Sequence, residues 1–329
     1  MIKKSTLFSF LLLSTQAISQ SYAPPAGQAG TTAMHKDSSA FTSWASGISV
    51  QRGFVDAGDT SVEYDNSNRA TFGVPQNALN HAEGNSGNVV SLGDGGTATL
   101  TFNQPIINGI GPDFAVFENG LSDTFLELAF VEVSSDGLHF VRFPAHSETQ
   151  TTTQIGGFGS VDCRYINNLA GKYKAGFGTP FDLSDLPVDP ILDINNITHI
   201  RIIDVVGSID PLIGSKDSQG NMINDLYPTP FNSGGFDLDG IGVIHQQTLS
   251  VSENELVARI YPNPTKQFLN VELNAVSQVQ VYDLTGKLWI QQEEVLTTSM
   301  DLSNLRGGIY LVKIENQNQV LMRKILVEK

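Results

Sequence analysis

The chain has 329 residues, only 16% of them charged, with 31 glycines, six histidines and a single cysteine, Cys163. One cysteine excludes an intrachain disulfide. The formal charge of −15 at pH 7 argues against nucleic acid or anionic lipid as a partner, because both repel an acidic surface.

At the start, Lys3 and Lys4 precede an apolar run over residues 7–13, and Ala17-Ile18-Ser19 places small residues before Gln20. This predicts a cleavable secretory leader over 1–19, too short to span a membrane. No later run approaches 18 apolar residues, so no transmembrane segment is expected. Residues 20–33 lack apolar periodicity and read as an extended lead-in.

From 34 to 245 the chain offers short apolar runs separated by turn signals. Strands are expected at 97–102, 114–117, 126–134, 139–143, 197–206 and 236–244, with a hairpin turn at Ser135-Asp136-Gly137. A short helical turn is expected near 181–186, capped by Asp182 or Ser184. No long stretch carries helical periodicity, so the pattern predicts an antiparallel β-sandwich. Cys163 is expected to be a small buried hydrophobe.

Residues 246–256 are polar and patternless, the expected linker. Beyond it, 257–329 predicts six or seven strands, at 269–273, 279–282, 288–291, 298–302, 309–314 and 321–327, enough for one small core. The charge divides the same way. Residues 257–329 hold eight basic and seven acidic side chains, whereas 20–256 hold nine basic and 27 acidic.

Several patterns in the large domain point to chemistry. Hard cations such as calcium take six to eight oxygen ligands from carboxylates, amides and carbonyls. Asp217, Asn221 and Asp225 are spaced around a glycine like a degenerate calcium loop. Asp237 and Asp239 are two apart and share one face of the closing strand. Asp113, Glu118 and Asn119 bracket the 114–117 strand. Calcium is therefore the cofactor to look for, although such residues also build ordinary turns. Trp44, Tyr165, Tyr173, Phe177, Tyr227 and Phe231, with Phe181, fall in loop-like stretches and are candidate ligand platforms. Exposed rings stack on sugars, and the loops at 165–181 and 226–236 are long. Paired carboxylates in a cleft would permit glycoside hydrolysis, with Glu118, Glu127 and Glu132 as candidates. Alternation places Glu127 toward solvent, which favours binding over catalysis. The scattered histidines, including His139, His199 and His245, show no zinc spacing.

The C-terminal segment resembles a known family. Tyr261-Pro262-Asn263-Pro264 with Thr265, the stretch 281–287 (VYDLTGK), Leu302-Ser-Asn-Leu-Arg-Gly307-Gly308-Ile-Tyr310 and the ending KILVEK occur in one order within seventy residues. Together they resemble the type A C-terminal sorting domain of type IX secretion cargo from Bacteroidetes. The resemblance implies a small immunoglobulin-like sandwich, read by an outer-membrane translocon and cut by a sortase-like peptidase. The product would be secreted or held on the outer surface after passing through the periplasm. Proline restricts pairing at the domain's entry, and Gly307 and Gly308 suggest backbone closed to other residues. The large domain resembles uncharacterised cell-surface proteins, on its GPDFAVFENG, FVEVSSDG and GGFDLDGIGVI stretches. That resemblance implies a jelly-roll sandwich of the galactose-binding type, a fold used mostly for binding. The expectation is an all-β, surface or secreted protein that captures glycan through loops of a calcium-stabilised sandwich. The alternatives are a glycan-active hydrolase and a structural or adhesion component without a small ligand.

Overall fold

The computed structural model describes residues 22–247, 256–316 and 319–329. The expected leader and most of the expected linker lie outside the described residues. The chain divides into two compact units, 1–249 and 250–329.

Among its described residues the first unit is built from thirteen strands. In chain order they are β1 (Met34–His35), β2 (Ser43–Trp44), β3 (Gly47–Gln51), β4 (Val90–Ser91), β5 (Thr97–Ile106), β6 (Phe114–Glu118), β7 (Ala129–Ser134), β8 (Val141–Arg142), β9 (His146–Ser147), β10 (Ile166–Asn167), β11 (Phe177–Phe181), β12 (Ile197–Asp204) and β13 (Asp237–Val243). One sheet runs β1-β11-β6-β13-β2, with β4 also on β13; the other runs β3-β5-β12-β7-β8. Their neighbouring strands pair antiparallel. The result is the expected two-layer sandwich.

The core lies between the sheets. Phe114 and Val116 of β6, Leu238 and Ile241 of β13, Val131 and Val133 of β7, and Ile200 and Ile202 of β12 are fully buried in one cluster. Phe114 stacks on Phe181 with ring centroids 5.4 Å apart. The outer face of the first sheet is also covered. Ala115 and Phe117 pack with Ala82, Phe41 and Trp44, which is why every residue of β6 is buried. The outer face of the second sheet is polar. There Glu132 accepts from Nε of Arg142 at 2.9 Å and Nε of Arg201 at 2.8 Å, so this catalytic candidate is an ion-pair anchor. Cys163 is buried among Leu126, Leu128 and Ile166, and burial pushes its thiol up to about 11.

Sequence and structure differ in detail. The expected strand at 126–134 starts only at Ala129, and residues 126–128 are irregular. The helical turn at Leu183–Asp185 is capped as expected, Asp182 accepting from the Ser184 N–H.

The second unit holds β14 (Ala258–Tyr261), β15 (Phe268–Asp283), β16 (Leu288–Asp301), β17 (Gly308–Glu315) and β18 (Val320–Val327). Among the described residues the six or seven expected strands are five, because four of the predicted segments fuse into the long hairpin β15–β16. Register shifts near Ser277 bend that hairpin. Its first half pairs with β14 and its second half with β17, so one sheet curls over a shared core. Leu269 and Val271 from one half meet Val279, Val312, Ile314 and Ile325 from the other. Tyr310 is buried while Ile309 is exposed, as alternation requires. Gly286 closes its turn at φ +84°. Gly307 is a correction: its φ is not positive, and only Gly308, at φ 155°, leaves ordinary backbone space.

Candidate functional site

Four strands meet at one end of the N-terminal sandwich: β6 and β12 finish there, and β7 and β13 begin there. Their ends carry an unusual density of buried acid. Glu118 closes β6, and Asp237 opens β13 close by, since Glu118 pairs with Leu238. Asn119 Nδ2 donates to Asp237 Oδ2 at 2.9 Å. Glu118 Oε2 accepts from the Gly120 N–H at 2.7 Å. Glu118 Oε1 and Asp237 Oδ1 are buried with no hydrogen-bond partner.

Glu127 joins them from the irregular segment before β7. It is 9% exposed, which corrects the expectation that it faces solvent. The alternation argument fails because residues 126–128 are not a strand. Gly171 lets the chain approach there: at φ +79°, a Cβ would lie 1.8 Å from the Glu127 carbonyl oxygen.

Two further carboxylates set these groups in place. Asp225 accepts from the N–H of Leu128, next to Glu127, at 2.7 Å. Asp204, at the end of β12, accepts from the N–H of Phe236, next to Asp237, at 2.7 Å. Burial dominates the electrostatics. It raises Asp225 and Asp237 to about 7 and lifts Glu118, Glu127 and Asp204 well above the usual carboxylate range. The charge of Asp237 adds to the rise at Glu118 and Glu127.

Above this floor opens a cavity of about 350 Å³ lined by Asn119, Glu127, Asp237 and the rings of Phe72, Phe125, Phe158 and Phe231. Phe158 is 81% exposed, and its ring centroid lies 5.8 Å from that of Phe231. A Cβ on the neighbouring Gly157 would lie 2.3 Å from the Pro228 carbonyl oxygen, so glycine lets the two loops touch. A larger cavity, about 440 Å³, lies by Arg52, Arg69 and Asp94. Its polar groups are already committed. Arg52 donates to the carbonyls of Phe72, Ser91 and Gly73, Arg69 covers the Phe54 ring, and Asp94 accepts from the Ala57 N–H at 2.7 Å.

The eight residues expected to serve calcium fall in separate places. Glu118, Asn119 and Asp237 come together, with Asp225 nearby on Leu128. Asp113 is elsewhere, accepting from the N–H groups of Gly109 and Leu183 and contacting His245 Nδ1 at 2.7 Å. Asp217 organises its own loop, taking the N–H groups of Ser147, Gln219 and Asn221 and the Asn221 side chain. Asp239 accepts from the N–H groups of Glu83 and Gly84. Among the described residues, no three Asp, Glu, His or Cys side chains form a group that could hold a metal ion.

Of the seven candidate platform rings, only Phe231 lines the acid-floored cavity, and Phe181 ends β11 in the core rather than lying in a loop. Two further corrections concern placement: Trp44 lies on β2 and Phe177 on β11 rather than in loops. Trp44 packs on Phe41 and Phe117, and Phe177 on His35. Tyr173 is buried with its hydroxyl 2.8 Å from Thr32 Oγ1. Tyr227 donates to Asp56 Oδ1 at 2.7 Å. Tyr165 is exposed on a helical turn away from the cavity.

No curated protein matches the chain. Among solved structures, the chain is similar at 12% identity to a "Biofilm associated protein - BSP domain", with a TM-score of 0.22 over 70% of this chain and 48% of that one. It is also similar, at 12% identity and a TM-score of 0.21, to a "b-glucuronidase from Ruminococcus gnavus in complex with D-glucaro 1,5-lactone", over 86% of this chain and 45% of that one. The chain thus spans about half the length of each. Among the described residues, no helix is long and apolar enough to cross a membrane. Residues 259–328, which hold all five strands of the second unit but the first residue of β14, match the family described as "Secretion system C-terminal sorting domain". The chain therefore ends in a type IX secretion sorting domain, which addresses it through the periplasm to the cell surface or the medium and engages the secretion machinery.

Proposed function

We propose that the N-terminal unit is a binding module, displayed on the cell or released from it, that captures glycan in the acid-floored cavity. One observation carries this reading: the exposed ring of Phe158, the half-buried ring of Phe231 and the polar groups of Asn119, Glu127 and Asp237 line a single cavity at the end of the sandwich. Sugars present both kinds of surface, C–H faces that stack on rings and hydroxyls that bond carboxyl and amide groups. The sorting tail supports the reading by taking the module to where extracellular polysaccharide is met. A glycan array probed with the mature chain tests it. Binding should be lost in a Phe158→Ala, Phe231→Ala double variant whose melting point is unchanged. No glycan retained by the native chain, or equal retention by the variant, would refute the reading.

The hydrolase alternative rests on Glu127 and Asp237 lining the same cavity, with burial favouring protonated Glu127 as a general acid. New reducing ends from an array-positive glycan, absent with Glu127→Gln, would establish it. The binding reading expects the glycan to be recovered intact.

A further inference from the structure

The cavity carries acid with no basic side chain on its lining. Among the described residues, Glu118, Glu127 and Asp237 make no salt bridge, and no Lys, Arg or His lines the cavity. Glu127 is nine-tenths buried, faces the cavity and accepts no hydrogen bond from a described residue. Asp237 reaches the same cavity beside the Ser91 hydroxyl, and Glu118 Oε1 is buried next to it with no hydrogen-bond partner. The charge of Arg52 reaches Asp237, but its N–H groups donate to main-chain carbonyls and it does not line the cavity. Buried carboxylates are retained where something satisfies them, and an unpaired one is costly. The walls add a second, independent preference. Phenylalanine faces attract cations through the ring quadrupole, most strongly where water is displaced.

We infer that the cavity takes a ligand bearing a positively charged amine, the ammonium group seated between Glu127 and Asp237 and its carbon frame resting on Phe158 and Phe231. Combined with the glycan reading on which it rests, this makes the ligand an amino sugar with a free amine. An organic ammonium fits the floor better than a metal ion, because the described carboxylates do not converge into a three-ligand group. An ammonium needs only two or three acceptors around it, and its frame uses the rings that a bare metal ion would leave idle.

The test is titration calorimetry of the mature chain at pH 7, where the amines of a glucosamine tetramer are still substantially protonated, with that tetramer, its fully N-acetylated counterpart and tetramethylammonium. The free-amine tetramer should bind at least ten-fold more tightly than the acetylated one. Glu127→Gln should abolish that preference. Phe158→Ala, at a position exposed enough to leave folding intact, should weaken both sugars. Equal or tighter binding of the acetylated tetramer would overturn the charge inference while leaving glycan capture standing. Glu127-dependent binding of tetramethylammonium with neither sugar bound would uphold the charge inference and sink the glycan reading. No binding of any of the three would overturn both. A melting point raised by calcium chloride, with the gain abolished by Glu127→Gln, would make the missing cation a metal and overturn the amine.

Discussion

Replacing Asp225 by Asn should lessen the fall of the large unit's stability with pH. Asp225 is fully enclosed and its folded pKa is raised by burial to about 7, against ~3.9 in an unfolded chain. Between those values the folded state holds a proton that the unfolded state has released. Stability therefore falls as pH rises through this window, by ~1.4 kcal/mol per pH unit for one group. The full difference for Asp225 is ~4 kcal/mol, a large share of the ~5–15 kcal/mol typical of a domain. The Asp225→Asn variant would lose that penalty. It would also place an amide NH₂ against one of the two N–H groups, those of Leu128 and Leu226, that Asp225 now satisfies, at a cost of ~1–3 kcal/mol. Relative to the native chain, the variant should gain ~3 kcal/mol between pH 5 and pH 8 and be equally or more stable at pH 8. The assay is urea unfolding followed by tryptophan fluorescence in a Trp289→Phe background. The chain's other tryptophan, Trp44, belongs to the large unit, so the signal reports that unit alone. Native stability that is flat or rising between pH 5 and 8, or an unchanged slope in Asp225→Asn, would refute the reasoning.

The remaining predictions are briefer. Affinity for a quaternary ammonium should fall severalfold between pH 8 and 6, as protons compete at Glu127 and Asp237; the facing groups Glu118, Asp204, Asp225 and Asp94 and the cation of Arg52 shape the midpoint, and calorimetry across that range reads it. Gly171→Ala should destabilise the large unit by at least ~1 kcal/mol and weaken ligand binding, because the added methyl meets the Glu127 carbonyl and strains a positive φ; thermal melting and calorimetry check the two effects. Phe114→Ala should cost ~3–5 kcal/mol in urea unfolding by removing a ring packed against Phe143 and Phe181. A chain truncated after Gln247 should accumulate in the periplasm instead of reaching the exterior, as fractionation and immunoblotting would show.

How far the sequence reveals this molecule depends on how local each cause is. Strands β5, β6, β12 and β13 announce themselves because apolar alternation and turn residues act over a few positions. The sorting unit's strands are visible too, but its fused hairpin is not: bulges let one strand run through what look like two. Asp204 reads as a strand polar residue and Asp225 as a calcium-loop candidate, since their task of holding Phe236 and Leu128 is set by neighbours far along the chain. Extending strand alternation into a segment that is not strand misplaces Glu127. Phe158 lies in Gly156-Gly157-Phe158-Gly159, and a large ring flanked by glycines is a local signal that can mark an exposed platform. The convergence of Glu118, Glu127 and Asp237 needs three strand ends at one edge, which no local pattern encodes.

The most direct measurement is a crystal structure of the mature chain soaked with the tightest ligand from the array. The expected result is density in the 350 Å³ cavity, a ring or carbon frame against Phe158 and Phe231 and a polar atom within hydrogen-bond distance of Glu127. Density on the Arg52–Arg69 cavity or on the outer face around Phe140 and Arg201, with the acid-floored cavity empty, would contradict it.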